Sequence, residues 1–204
     1  MLQFAWKNYS VKKITMILLG MLTAYWLQSQ SFYPLGSEVL GQGANENFGG
    51  RLDLSLDGSA YILGSNSHDL GKGKVAIYEL IGDDFSLRGS EIIGAVNERI
   101  GQGVSINSDG TIIALSSNRG SSSGTTGFVR IYQFDGSDWV QLGSDITNAK
   151  QGFGNSISLN AAGNIIAVSA AFENSQLARL GGVCKFSLTI GCRVIDRFCN
   201  LPHR

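Results

Sequence analysis

The sequence predicts an all-β fold built from repeated units of four antiparallel strands, and three observations support this prediction. Glycine accounts for 27 of 204 residues and proline for only 2, a balance typical of short strands joined by tight turns. Apolar residues alternate with polar ones, as at Val104 and Ile106 or Val129 and Ile131, and this period of two indicates strands rather than helices. Related segments also recur at a constant interval along the chain.

Three sets of segments recur in the same order. The first is marked by a Gly-Ser pair, with Gly36, Gly89 and Gly143 spaced 53 and 54 residues apart. The sets are Leu35–Gly41, Arg88–Gly94 and Leu142–Asn148; Phe48–Gly58, Ile100–Gly110 and Phe153–Gly163; and Gly73–Tyr78, Gly127–Tyr132 and Gly181–Phe186. Three markers in three copies at one interval predict an internal repeat.

Each copy contains the elements of a small up-and-down sheet. The order is strand, Asp-Gly turn, strand, long loop, strand, short link and an outer strand through the Gly-Ser segment. Asp57-Gly58 and Asp109-Gly110 are predicted to form two-residue hairpin turns, in which glycine supplies positive φ. The third copy has Ala162-Gly163, so the aspartate indicates a turn preference rather than a ligand. Four antiparallel strands per copy correspond to one β-propeller blade.

Several of these segments resemble the FG-GAP class of propeller repeats. The resemblance is carried by Trp139–Ile146, Phe153–Leu159, Ile166–Ser169 and Gly127–Tyr132, and it extends over residues 32–187. It implies a secreted or cell-surface propeller that binds other molecules, as integrin head domains do.

One part of the FG-GAP pattern is missing. Integrin-type blades carry an Asp-x-Asp-x-Asp-Gly calcium loop between their first two strands. Here that place holds Leu56-Asp57-Gly58, Ser108-Asp109-Gly110 and Ala161-Ala162-Gly163. One carboxylate per loop cannot supply the six to eight oxygens that calcium prefers. We therefore predict no metal site at these turns and no cofactor.

The copies, approximately 32–85, 86–139 and 140–188, amount to about three blades followed by a non-repeat tail, 189–204. Because propellers close with four to eight blades, three blades predict an open or partial propeller. Two explanations stay open. The open blade edges self-associate, for example into a six-blade ring, or the chain is a truncated part of a longer propeller.

Residues 1–31 have the composition of a signal peptide or N-terminal anchor. Lys7, Lys12 and Lys13 precede an uncharged apolar stretch, Ile14–Leu27, which is shorter than the roughly 20 residues needed to span a membrane. We expect a signal helix cleaved after Ser31, with an uncleaved anchor as the alternative. Either one predicts that the protein is secreted or lies on the extracellular face of a membrane.

All three cysteines, Cys184, Cys192 and Cys199, lie near the end of the chain. An odd number does not favour a disulfide framework, and spacings of eight and seven residues do not match the close pairs of zinc sites. Their role stays open.

Charge and histidine content argue against two function classes. Sixteen basic residues balance sixteen acidic ones, which does not favour nucleic acid as a partner. A Ser-His-Asp site would have to use His68 beside Asp69, but adjacent side chains seldom face each other, and no nucleophile-elbow sequence is present. We predict no catalytic residues. A glycan hydrolase or lyase with paired carboxylates from two loops stays an alternative, as does a remnant without independent function.

The long loops indicate where binding would take place. In a four-stranded blade, the link into the first strand and the loop between the second and third strands emerge on the same face, and binding residues concentrate on such loops. The candidate ligand-binding residues are the polar ones in these loops: Asn66, His68, Asp69, Asn118, Arg119, Glu173 and Asn174. We therefore predict a non-catalytic extracellular binding or adhesion module for a protein or glycan.

Overall fold

The computed structural model describes residues 33–117, 127–148, 152–170, 182–189 and 193–196. The chain divides into two compact units, residues 1–35 and residues 36–204. The predicted signal segment, 1–31, lies outside the described residues. No helix among the described residues is long and apolar enough to cross a membrane.

Within the described residues the second unit contains three antiparallel sheets, each formed by one consecutive stretch of chain. The first comprises β1 (Arg51–Leu54), β2 (Ala60–Ser65), β3 (Lys74–Ile81), β4 (Asp84–Leu87) and β5 (Ile92–Ile93), with a single helical turn, α1 (His68–Gly71), between β2 and β3. The second comprises β6 (Gly103–Ile106), β7 (Ile112–Ser117), β8 (Phe128–Phe134), β9 (Trp139–Gln141) and β10 (Ile146–Thr147). The third comprises β11 (Phe153–Leu159), β12 (Ile165–Ala170), β13 (Gly182–Thr189) and β14 (Arg193–Asp196). The predicted all-β class and four-stranded antiparallel blades are confirmed.

The outer strand of the first two blades is split into two short pieces. β4 pairs with the second half of β3, and β5 pairs with its start. Between them Gly89 adopts φ 71°, and the Ser90 amide donates to Asp138 Oδ1 of the next blade at 2.8 Å. The Gly-Ser segment therefore leaves its own sheet to contact the neighbouring one. β9 and β10 divide in the same way along β8.

The hairpin between the first two strands is longer than predicted. Ser55 N donates to Ala60 O at 2.8 Å, and Gly58 N donates to Ser55 O at 3.0 Å, so residues 56–59 form a four-residue loop. Only Gly58 among them has positive φ, 73°. A two-residue type I′ turn requires positive φ at both central residues; here a type I turn precedes one left-handed glycine. The same turn recurs in the other two blades, where Gly110 N donates to Asn107 O and Gly163 N donates to Asn160 O.

Two apolar cores lie between successive blades. The first contains Ala60, Ile62, Val75, Ile77, Ile100, Val104, Ile106, Ile113, Leu115 and Trp139. The second contains Ala114, Val129, Ile131, Ile146, Phe153, Ile157, Ile166 and Val168. Neighbouring residues such as Ala114 and Leu115 belong to different cores because successive side chains of a strand point to opposite faces. The middle blade is thus covered on both faces.

Side-chain hydrogen bonds join the innermost strands. Asp53 Oδ2 accepts from Ser105 Oγ at 2.8 Å and from the Ile106 amide at 3.0 Å. Ser105 Oγ in turn accepts from the Leu159 amide at 3.0 Å. Asp53 and Ser105 occupy the same position in β1 and β6, so one type of contact recurs at both junctions. This ladder holds the first strands of successive blades side by side.

The ends of the repeat region differ from the sequence-based expectation. The Gly-Ser segment Leu35–Gly41, which the repeat predicts as an outer strand, is not a strand in the structure, and within the described residues no third strand of a preceding blade lies beside it. The expected non-repeat tail, 189–204, includes β14, which pairs with β13. The sheets therefore span 51–93, 103–147 and 153–196. Cys184 lies in β13, opposite Val168, whereas Cys192 and Cys199 lie outside the described residues.

Candidate functional site

The long loops of the first two blades meet on one rim. The link that enters the second blade, residues 94–102, lies along the β2–β3 loop, residues 66–73. Arg99 N donates to Gly71 O at 2.8 Å and Ile100 N to Lys72 O at 3.2 Å. Gly73 and Ile100 form an isolated parallel bridge. This continuous loop surface, residues 42–50, 66–73 and 94–102, is called the rim below.

Both links on the rim share a backbone form that places a glutamate inward. Asn45 and Asn47 flank Glu46 with φ of 63° and 56°, and Asn97 and Arg99 flank Glu98 with φ of 62° and 55°. Such left-handed conformations are uncommon outside glycine. The Gln42 amide donates to Glu46 Oε1 at 2.7 Å, and the Ala95 amide donates to Glu98 Oε2 at 2.6 Å. Each carboxylate thus closes its own loop.

Glu46 holds His68 in the β2–β3 loop. The Nδ1 atom of His68 lies 2.8 Å from Glu46 Oε2, and the glutamate side chain is only 4% exposed. The hydrogen bond from His68 lowers the pKa of Glu46, aided by the backbone amides of Gly43 and Gln42 and by the charge of Lys74, while burial opposes the shift. Glu46 is therefore an ionised, buried anchor for the rim.

In the second blade an arginine, rather than a histidine, is the partner of the equivalent glutamate. Arg130 Nη2 donates to Glu98 Oε1 at 2.6 Å, and Arg130 Nε donates to Asp145 Oδ1 at 2.9 Å. Burial opposes the charge of the guanidinium, but these two carboxylates raise the pKa of Arg130 above its ordinary value. Phe128 covers the guanidinium at 4.3 Å from its ring centroid, a favourable cation–π distance.

Lys74 of the first blade is buried beneath the rim. It is 2% exposed, and its Nζ lies 3.1 Å from Glu91 Oε1 and 5.5 Å from the centroid of the Phe48 ring. A buried ammonium requires such compensation. Glu91 and Asp145 both follow a Gly-Ser pair, so the acidic residue of this repeat segment binds a cation on the third strand in each of the two blades.

The structure places three of the seven predicted ligand-binding residues on the rim. Asn66 joins two links, since its Nδ2 donates to Gln102 Oε1 at 2.6 Å while its Oδ1 accepts from Asn47 Nδ2 at 3.2 Å. His68 pairs with Glu46. Asp69 pairs with Lys72 Nζ at 2.6 Å, and this contact lowers the pKa of Asp69.

The other four predicted residues, Asn118, Arg119, Glu173 and Asn174, lie outside the described residues. His68 and Asp69 bind different partners, so the adjacent pair does not form a His-Asp hydrogen bond.

Two exposed apolar side chains on the rim were not among the sequence-based candidates. Leu70 is 77% exposed and Val96 is 53% exposed. Leu70 has φ of 55° and its neighbour Asp69 has φ of 38°. A non-glycine residue in this region costs free energy unless its surroundings hold it. The adjoining Gly71–Arg99 hydrogen bond links the segments that carry Leu70 and Val96.

A cleft of about 380 Å³ runs along the innermost strands. Its lining residues are Arg51, Leu52, Asp53, Gly103, Val104, Asn155, Ser156 and Ile157. Arg51 donates to the carbonyls of Gln102 and Gly50, both at 2.9 Å, and Asp53 joins the inner strands as described above. These two charges stabilise the junction between blades. In the described ranges no group of three or more His, Cys, Asp or Glu residues is placed to hold a metal ion.

No protein-family model matches the sequence, and no curated protein matches it. Solved structures show distant similarity. A candidate 6-phosphogluconolactonase from Bacteroides uniformis is 13% identical, with 72% of this chain and 39% of that chain covered at a TM-score of 0.49. The β-propeller domain of the Trilobed protease from Pyrococcus furiosus is 15% identical, with 72% and 41% covered at 0.42. U3-55K is 18% identical, with 72% and 42% covered at 0.40.

The chain thus spans about two fifths of the length of these proteins. The strand pairing of the chain itself shows the fold. Its antiparallel sheets follow one another along the chain and pack through their inner strands, and this is the arrangement of propeller blades. The protein is an all-β chain of propeller-like blades.

Proposed function

We propose that this protein is an FG-GAP-type, non-catalytic binding module whose rim contacts an extracellular protein or glycan. The observation that carries the proposal is the construction of the rim. Its three loop segments are fixed to one another by Asn66, by the Glu46–His68 pair and by the Arg99–Gly71 bond. Loops held on a rigid sheet scaffold are where binding residues concentrate.

The exposed groups of this rim suit recognition rather than catalysis. Leu70 and Val96 offer apolar contact area beside amide and charged side chains. Most ionisable residues of the rim are paired: His68 with Glu46, Asp69 with Lys72, and Glu98 with Arg130 of β8. A surface of apolar side chains surrounded by satisfied polar groups is typical of an interaction site. Export is supported by the basic head and the 14-residue apolar stretch Ile14–Leu27.

Binding arrays provide the test of this proposal. The full chain is applied to an array of defined oligosaccharides and to a panel of purified extracellular glycoproteins, together with the variants Leu70→Asp and Ile81→Asp. Ile81 is 60% exposed at the end of β3, beside the hairpin on the opposite rim, so it is a matched control. We expect Leu70→Asp to weaken binding to any partner found by about 10-fold or more, since it places a charge in an apolar contact. Ile81→Asp should bind as the parent chain does.

Two results would refute the proposal. One is equal loss of binding in both variants, which would locate recognition elsewhere. The other is a chain that binds none of the probes but cleaves a glycan, with the same cleavage in the Leu70→Asp variant. That result would favour an enzyme.

A further inference from the structure

Over the described residues, the outer edge of the third blade lacks a short strand that the first two blades have. In those blades a short strand pairs with the start of the third strand, as in Val75 opposite Ile92 and Val129 opposite Ile146. In the third blade β14 pairs only with residues 186–189 of β13. Within the described part of the chain, no strand lies on that edge opposite Gly182 and Val183, and Val183 is 67% exposed.

Near the other end of the described chain, residues 38–40 correspond to a strand of the repeat but pair with no strand of the described residues. Residues 38–40 correspond in the repeat to residues 91–93, which include β5. The preceding Gly-Ser pair is already docked, because the Ser37 amide donates to Asp84 Oδ1 at 2.8 Å, as the Ser90 amide does to Asp138. The segment therefore lies on the first blade as the outer strand of a preceding blade would. Leu40 is 69% exposed and belongs to no strand.

The two end faces carry the same kind of residues that pack inside the molecule. Leu52 and Leu54 of β1 are 64% and 54% exposed, whereas Val104 and Ile106, at the same positions of β6, are 8% and 5% exposed against the preceding blade. On the other end face, exposed Ser158 occupies the position of Asp53 and Ser105. Its hydroxyl is thus positioned to accept the main-chain amide of a following blade, as Ser105 accepts that of Leu159.

We propose that a second copy of this chain covers these faces. The third blade of each copy packs against the first blade of its partner, so that Val39 of one copy pairs with Val183 of the other and Leu40 with Gly182. Ser158 then accepts the amide of Leu54, which in a single copy donates to Asp53 Oδ1 at 3.0 Å. The three sheets of the described residues are fewer than the four to eight blades of a closed propeller ring. Two copies make two identical junctions and six blades, a closed two-fold assembly.

This inference does not rest on the proposed rim binding, and solution mass tests it directly. Sedimentation velocity of the full chain should give twice the 21.8 kDa chain mass at concentrations of about 1 to 100 μM. The double variant Leu52→Asp/Leu54→Asp should dimerise about 100-fold more weakly, because it buries two carboxylates in an apolar junction. Val140→Asp, at a 50% exposed position on β9 of the middle blade, should remain dimeric. Circular dichroism checks that each variant keeps its strand content.

Crosslinking tests the strand pairing itself. A photoreactive residue at position 40 of an isotope-labelled chain should crosslink to an unlabelled peptide that contains Gly182 and Val183. A monomer at every concentration, an open-ended series of larger species, a dimer that survives Leu52→Asp/Leu54→Asp, or crosslinks confined to other segments would each overturn the proposal.

Discussion

Replacing Asp53 tests whether the hydrogen-bond ladder between inner strands stabilises the fold. Its carboxylate accepts the Ser105 hydroxyl and the amide of Ile106, a residue that is 5% exposed. Hydrogen bonds to a charged group contribute about 1.5–3 kcal/mol, and an unpaired buried amide costs about 1–3 kcal/mol. Because Asp53 is only half-buried, we expect Asp53→Ala to lower the free energy of unfolding by about 2–3 kcal/mol.

The molecule supplies its own control for this substitution. Ser105 performs the same role at the next junction with one hydroxyl, which accepts the Leu159 amide at 3.0 Å. Asp53→Ser should therefore keep one of the two bonds and cost only about 1 kcal/mol. Urea unfolding followed by circular dichroism measures both variants. With a slope of about 2 kcal/mol/M, the alanine variant should unfold at about 1 M less urea than the parent chain.

A double-mutant cycle separates this contact from a general effect of charge. If Asp53 acts through Ser105, the costs of Asp53→Ala and Ser105→Ala should not add, and the coupling energy should be about 1 kcal/mol. Equal stability of the alanine variant and the parent chain would refute the reasoning. So would a serine variant as unstable as the alanine variant.

Two further predictions concern the blade junction and a hairpin. Gly127→Ala should destabilise the protein by about 3 kcal/mol or more, because a Cβ there would collide with the carbonyl oxygen of Phe153; Gly143→Ala, in open space at φ +70°, should cost only about 1 kcal/mol. Thermal melts would contradict this reasoning if the two variants were equally stable. The amide and hydroxyl of Ser59 help to lower the pKa of Asp57 from 3.8 to about 2, so the stabilisation from Asp57 is present above pH 3.8 and is lost as the pH falls towards 2. Asp57→Asn should remove this part of the acid dependence of the melting temperature; an NMR titration midpoint near 3.8 for Asp57 would contradict the assignment.

The repeat interval and the period of two were sufficient to predict the sheets, because both depend on local alternation and on order along the chain. The hairpin length was not predicted correctly. Its four-residue form depends on the residue just before the loop, where Ser55 Oγ and Asn107 Oδ1 accept main-chain amides from residues 60 and 112. The Asp-Gly pair alone therefore does not determine the length of this hairpin.

The role of the Gly-Ser segment was also beyond sequence reasoning. Ser90 is bonded to Asp138, 48 residues away, and no local pattern indicates such a contact between blades. On the rim, Glu46 was overlooked because a charged loop residue is usually solvated, yet its side chain is buried against His68. The repeated Asn-Glu pair at positions 45–46 and 97–98 was the signal that could have identified it.

The similarity of the two blade junctions has a consequence for how such a molecule grows. Each blade meets only its neighbours, so stability increases by one interface whenever a whole blade is added, as in other repeat proteins. Tandem duplication of a single genetic unit would then yield a longer protein whose new interface is already compatible with the old ones. Losses or gains of whole units should be tolerated far better than insertions that shift the register inside one.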